Sequence, residues 1–122
     1  MTNVLVVEDS LAIRKILKRM LGHPDFAVGE VYEASDGVEA LEALPNQNVQ
    51  LILSDINMPN MDGIQLLTAL KSDDRFKNIP VVMVSTEAGL AMVTRAIQLG
   101  ASGYIRKPFS PEEIKEKLVS YL

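Results

Sequence analysis

Four stretches of the sequence carry residue types that do chemistry: Glu8-Asp9, Asp55 at the head of Asp55-Ile56-Asn57-Met58-Pro59-Asn60-Met61-Asp62-Gly63, Ser85-Thr86, and Lys107-Pro108. The chain has no cysteine, and His23 is its only histidine. Carboxylates gathered in one place repel and are costly to keep ionised unless a cation joins them. An all-oxygen donor set selects a hard ion, and magnesium keeps several waters while accepting one or two carboxylates. On that reading Asp9 and Asp55 are direct ligands, with Glu8 acting through a water. Three negative groups, a divalent cation and Lys107 leave the site near neutrality. Such a site holds a phosphoryl group, whose charge a metal, a lysine and a hydroxyl can share. A carboxylate nucleophile there makes an aspartyl phosphate.

The elements before these residues decide whether they meet. Val4-Leu5-Val6-Val7 is a short aliphatic, β-branched run that ends at Glu8-Asp9, as a strand would. A third strand is expected over 49–54, with Leu51-Ile52-Leu53 broken only at Ser54 before Asp55. A fourth, Pro80-Val81-Val82-Met83-Val84-Ser85, is nearly pure apolar. Such runs mark strands buried on both faces of a parallel sheet. A short fifth strand near Gly103-Tyr104-Ile105 leads to Lys107. Met58-Pro59 continues neither strand nor helix smoothly, and Gly63 permits backbone that other residues avoid, so Asp55 heads a stiff loop. Alone, Asp55 is better explained as the cap of a turn or of the following helix, and the others as loop acids, a helix cap or a surface lysine. Four such groups at four strand ends are harder to dismiss, because ligands bind at the carboxyl edge of open α/β sheets.

Helical patterns fill the intervals. Ser10 is the expected N-cap of a helix with Ile13, Ile16, Leu17, Met20 and Leu21 inward, and with Arg14, Lys15, Lys18 and Arg19 on a solvated face. Gly22 and Pro24 end it. A second strand is expected over 28–34, with Val31 and Tyr32 inward. Asp36-Gly37 open a helix carrying Val38, Leu41 and Leu44. The third helix follows Asp62-Gly63 with Ile64, Leu67 and Leu70 inward, and the fourth covers 88–99 with Val93, Ala96 and Ile97 inward, stopped by Gly100. Ser110-Pro111-Glu112-Glu113 is a capping box for the last helix, with Ile114, Leu118 and Leu122 buried. Strands alternating with helices in this way require an α/β fold with a mostly parallel sheet covered on both faces. Strand order does not follow from periodicity.

At 122 residues the chain is expected to form one domain, 1–122, able to fold without disulfide or metal staples. A formal charge of −4 with both signs interspersed argues against a nucleic-acid surface. No apolar run approaches the roughly 20 residues of a membrane span, and Met1-Thr2-Asn3 leads into no signal-type core. A cytoplasmic location is expected, in agreement with the absence of cysteine. His23, beside Pro24, reads as a solvent residue rather than a phosphorelay donor. Met58 and Met61 are expected at the rim of the site, and the methionines are otherwise mostly core filler.

Glu8-Asp9, the 55–63 stretch, Val84-Ser85 and Gly103-Tyr104-Ile105-Arg106-Lys107-Pro108-Phe109 together resemble the receiver domain of bacterial two-component response regulators, of the CheY-like kind. The resemblance runs from Val4 through the last helix. It implies a flavodoxin-like strand order of 2-1-3-4-5. It implies that Asp55 accepts a phosphoryl group from a sensor histidine kinase or a small phosphodonor. Asp9, Asp55 and the backbone carbonyl of Asn57 would bind magnesium, or manganese in its place, with Glu8 in the outer shell. Ser85 and Lys107 would contact phosphoryl oxygens, and the Lys107-Pro108 bond would be cis. Tyr104 would be the switch residue, rotating into space that Ser85 vacates and reshaping the face of the fourth helix, fifth strand and fifth helix. That face, led by Val93, Ile97, Tyr104, Arg106 and Lys117, would engage a downstream protein. Asn57, Thr86 and Glu87 occupy positions that tune dephosphorylation. The expected molecule is a monomer, or a dimer linked to phosphorylation. It is a signalling domain that catalyses only its own phosphorylation and dephosphorylation.

Two positions depart from the family pattern. Thr86 stands where alanine or glycine is commonest and would narrow access to the phosphoryl group. Gly89-Leu90 is less basic than the matching stretch of many motor-binding relatives. Other classes fit less well: an aspartate-nucleophile phosphatase wants a second acid where Asn57 stands, and a flavin site wants a phosphate loop where Glu8-Asp9-Ser10-Leu11 would repel the ligand. A receiver cut from a larger regulator, with a DNA-binding or enzymatic output domain, fits as well as a complete single-domain regulator.

Overall fold

The aliphatic runs become strands in the computed structural model, which describes residues 1–86 and 89–122. β1 (Thr2–Val7), β2 (Val28–Ala34), β3 (Leu51–Ser54), β4 (Val81–Ser85) and β5 (Gly103–Arg106) alternate with α1 (Leu11–Leu21), α2 (Gly37–Ala43), α3 (Gly63–Lys71), α4 (Leu90–Gln98) and α5 (Pro111–Leu118). The five strands pair in parallel in the order β2-β1-β3-β4-β5. The order reverses between β1 and β3, so the crevice at a topological switch point opens beyond Val7 and Ser54, which face each other in register. The ladder extends one residue past the strands: the Asp55 amide donates to the Val7 carbonyl at 2.9 Å, and the Glu8 amide to Ala34 at 2.9 Å. Both acids are thereby fixed to the sheet through their backbones.

Alternation along the central strands separates two apolar layers. Leu5, Val7, Ile52 and Met83 pack with Ala40 of α2, Leu66, Leu67 and Leu70 of α3, and Ala96 of α4. Val4, Val6, Leu51, Leu53 and Val84 pack with Leu17 and Leu21 of α1 and Ile114 and Leu118 of α5. Each fully buried aliphatic side chain contributes about 2 kcal/mol of transfer free energy, so this double layer rather than helix propensity holds the edge in place. No described helix is long and apolar enough to cross a membrane.

Several helical expectations are corrected at the margins. Ile16, Val38 and Ile97 are exposed (43%, 38% and 47%) rather than inward. Each lies at the edge of its helix's apolar arc, and the small Ala40 and Ala96 take the innermost positions of α2 and α4. Leu66 joins Leu67 and Leu70 in the core, while Ile64 and Leu122 are half-buried. Val31 and Tyr32 are both half-buried and face opposite layers, as adjacent residues of an edge strand must. The expected start of the fourth helix at Ala88 lies outside the described residues. Gly100, at φ 108°, stops α4.

The loop after Asp55 closes tightly. The Gly63 amide donates to the Ile56 carbonyl at 2.7 Å. A Cβ at 63 would stand 2.0 Å from the Asp55 carbonyl oxygen, a backbone atom that cannot step aside, whereas one at Gly37 would meet only the Met61 side chain, at 2.7 Å. Gly63→Ala is therefore expected to lower unfolding free energy by about 3 kcal/mol and Gly37→Ala by about 1 kcal/mol, as overpacking against rigid and flexible neighbours does. Urea unfolding of the two variants checks the ranking, and equal midpoints would contradict it.

Candidate functional site

The strand ends bring the expected acids together. Glu8 and Asp9 follow β1, Asp55 follows β3, and one carboxylate oxygen of each lies within 4.8 Å of the others. Glu8 and Asp55 are buried, and Asp9 is exposed at the mouth. Lys107 follows β5, and its Nζ donates to Glu8 Oε1 in a very short contact and to Asp55 Oδ2 at 3.3 Å. Asp55 Oδ1 accepts from the Ile56 amide at 2.7 Å, which fixes the carboxylate's rotation and leaves Oδ2 toward Lys107. The peptide between Lys107 and Pro108 is cis.

Burial pushes the Glu8 carboxyl up to about 7; the Lys107 contact lowers it, while Asp9 and Asp55 add to the rise. Burial pulls the Lys107 ammonium down, but Glu8 and Asp55 more than offset this and leave it above its ordinary value. One lysine thus balances one carboxylate and leaves an excess of negative charge. Three oxygen donors, two of them withdrawn from water, are the chemistry a hard divalent cation fits.

The remaining expected residues fall around this centre. Ser85 ends β4 fully buried, and its carbonyl accepts from the Lys107 amide at 2.9 Å. Thr86 is exposed and lines a recess of about 370 Å³ with Ile13, Ile16, Lys107, Pro108 and Phe109. Asn57 is exposed at the start of the 57–62 loop. Glu87 lies outside the described residues. Tyr104 is half-buried against the layer containing Met83 and Ala96. With Val93, Arg106 and Lys117 it lines a separate recess of about 350 Å³ on the α4–β5–α5 face.

One residue at the site was misassigned by the sequence pattern. Arg14 is not on a solvated face: Nη1 donates to the Glu8 carbonyl at 2.6 Å and Nε to Glu33 Oε1 at 3.2 Å. It ties the Glu8-Asp9 peptide to α1 and β2. Side chains of a helix's first turn lean toward its N-terminus, and that lean was the available signal.

The fold and this acidic edge define a class. The family model described as the response regulator receiver domain matches residues 4–119, and the chain belongs to that family of phosphorylation-dependent signalling proteins, which are not enzymes in the ordinary sense. It is closely related to the chemotaxis response regulators. The chemotaxis protein CheY1 of Helicobacter pylori is 44% identical over 116 residues, covering 94% of this chain and 92% of that protein. The solved chemotaxis response regulator CheY4 of Vibrio cholerae superposes with a TM-score of 0.89 at 34% identity, over 100% of this chain and 99% of that one. The CheX–CheY–BeF3–Mg complex of Borrelia burgdorferi gives 0.87 at 31% identity, over 98% and 87%.

The raised Glu8 carboxyl has a thermodynamic consequence. The folded protein holds this proton to about 7 while the unfolded chain releases it near 4.5, so the group's contribution to stability is present at low pH and disappears as pH rises through 7. Lys107 stays charged throughout, and Asp9 and Asp55 are the other groups facing it. In metal-free buffer the wild type is expected to lose on the order of 2 kcal/mol between pH 5 and pH 8 relative to Glu8→Gln. Urea midpoints at the two pH values test this. Parallel losses in both proteins would contradict it.

Proposed function

We propose that the protein is a chemotaxis receiver, acting as one domain over 1–122 in the cytoplasm. Asp55 takes a phosphoryl group from a sensor histidine kinase in the presence of magnesium. The observation that carries this reading is the convergence of Glu8, Asp9 and Asp55 within 4.8 Å beside a lysine that touches two of them. Asp9, Asp55 and the Asn57 carbonyl would hold the ion, with Glu8 acting through a water. Magnesium, when bound, supplies positive charge against which a phosphoryl dianion can approach three carboxylates. The Borrelia burgdorferi relative is described as a complex with BeF3 and magnesium, which supports the same ion here.

An Asp55 carboxylate oxygen attacks phosphorus. The new O–P bond forms as the donor's P–N bond breaks, and the electron pair leaves with the imidazole nitrogen of the kinase histidine. Lys107, already 3.3 Å from Asp55 Oδ2, moves its ammonium from Glu8 toward a phosphoryl oxygen, and Ser85 turns its hydroxyl to another. Space behind Ser85 then admits the Tyr104 ring, and the α4–β5–α5 face changes shape for a downstream protein. Asn57, Thr86 and Glu87 set how readily water reaches the aspartyl phosphate. The protein works as a monomer, or as a dimer once phosphorylated.

Asp55→Asn is expected to abolish magnesium-dependent labelling by acetyl phosphate, read by intact mass; undiminished labelling would defeat the assignment. Lys107→Ala is expected to keep the fold but lose the shift of the Tyr104 ring resonances that beryllofluoride produces in the wild type. Equal shifts in both proteins would remove Lys107 as the charge sensor.

A further inference from the structure

The loop that contains Asn57 is fastened at its tip to another part of the fold. Asn60 Nδ2 donates to Asp36 Oδ2 at 2.8 Å, and the Gly37 amide donates to the Met61 carbonyl at 3.1 Å. Asp36 divides its two oxygens: Oδ1 caps α2 by accepting from the Glu39 amide at 2.8 Å, and Oδ2 is left for the loop. Backbone and Asn60 hydrogen bonds together hold the Asp36 carboxyl below its usual range. Asn60 sits at φ 65°, the left-handed region where glycine costs least and asparagine is among the few tolerated alternatives. The backbone alone would favour glycine, and the side-chain amide supplies a reason for asparagine. Because α2 is capped through the other oxygen, the Asn60 bond serves the loop rather than the helix.

We propose that Asn60, held by Asp36, is a positioning residue for the metal site: their hydrogen bond fixes the span between Gly63 and the start of α2, and so aims the Asn57 carbonyl at the ion shared by Asp9 and Asp55. This rests on the assignment of Asn57 given above. The span is short, closed at one end by the Gly63-Ile56 bond and at the other by Asp36, while Asn57, Pro59 and Asn60 themselves are exposed to water. Freeing the tip restores backbone freedom that must be lost again when the ion binds.

Two variants isolate the bond. Asn60→Gly keeps the left-handed backbone and removes the amide; Asp36→Ser keeps an oxygen for the Glu39 amide and removes the one that reaches Asn60. Calorimetric titration of the unphosphorylated protein with magnesium is expected to show affinity weakened on the order of tenfold in each, as loss of outer-shell support does. The double variant is expected to be no weaker than either single one, since both remove the same contact. Acetyl phosphate labelling of the variants should recover at high magnesium, and urea midpoints should stay close to wild type. Wild-type magnesium affinity in both single variants, or additive losses in the double, would overturn the proposal. Asp9→Asn separates the two levels: if it too binds magnesium normally, the assignment of the pocket itself fails, whereas its failure to bind beside normal Asn60→Gly and Asp36→Ser proteins sinks only the positioning role.

Discussion

Repulsion among three carboxylates at one sheet edge is the constraint to which the rest of the structure answers. Glu8, Asp9 and Asp55 would separate if their backbones could move, but β1 pairs with β3 on one side and β2 on the other, and these ladders continue into the Asp55 amide, which bonds Val7, and the Glu8 amide, which bonds Ala34. The ladders are in turn clamped between two apolar layers. Lys107 relieves part of the repulsion from β5, and Arg14 anchors the Glu8 carbonyl from α1. What remains is a rigid anionic pocket with a net demand for positive charge. That demand is one a divalent cation fits.

The same strands carry the consequence away from the pocket. Ser85 and Arg106 face each other across β4 and β5, and two residues earlier Met83 faces Tyr104. The Lys107 amide bonds the Ser85 carbonyl, so the two groups expected to meet a phosphoryl oxygen sit on joined strand ends. Tyr104 lies along those strands, half in the core and half in the recess with Val93, Arg106 and Lys117. A change of contacts at the edge therefore has a short path to an exposed face, through two paired strands rather than through a long chain of side chains.

Much of this arrangement is legible in the sequence because central parallel strands are nearly all apolar, so the polar residues that close each run mark the chemical edge. That is why Asp55, Ser85 and Glu8-Asp9 stand out from the order of residue types alone. Strand order could not be found this way, since every order of five such strands has the same periodicity; it came from the resemblance. Helix faces were legible in outline only. Ile16, Val38 and Ile97 satisfy the helical spacing yet lie at the edge of their arcs, where neighbouring elements rather than spacing decide exposure. Arg14 was hidden because a charged residue among lysines reads as solvated, although its side chain reaches back over the helix start. The Asp36-Asn60 bond joins residues 24 apart, and no local pattern announces it.

The most direct test of the account is a magnesium titration of the unmodified, metal-free protein followed residue by residue through backbone amide resonances. One saturable site is expected, with the largest shifts at Asp9, Asp55, Asn57 and Lys107. Absence of saturation, or saturation with shifts centred away from the ends of β1 and β3, would contradict it.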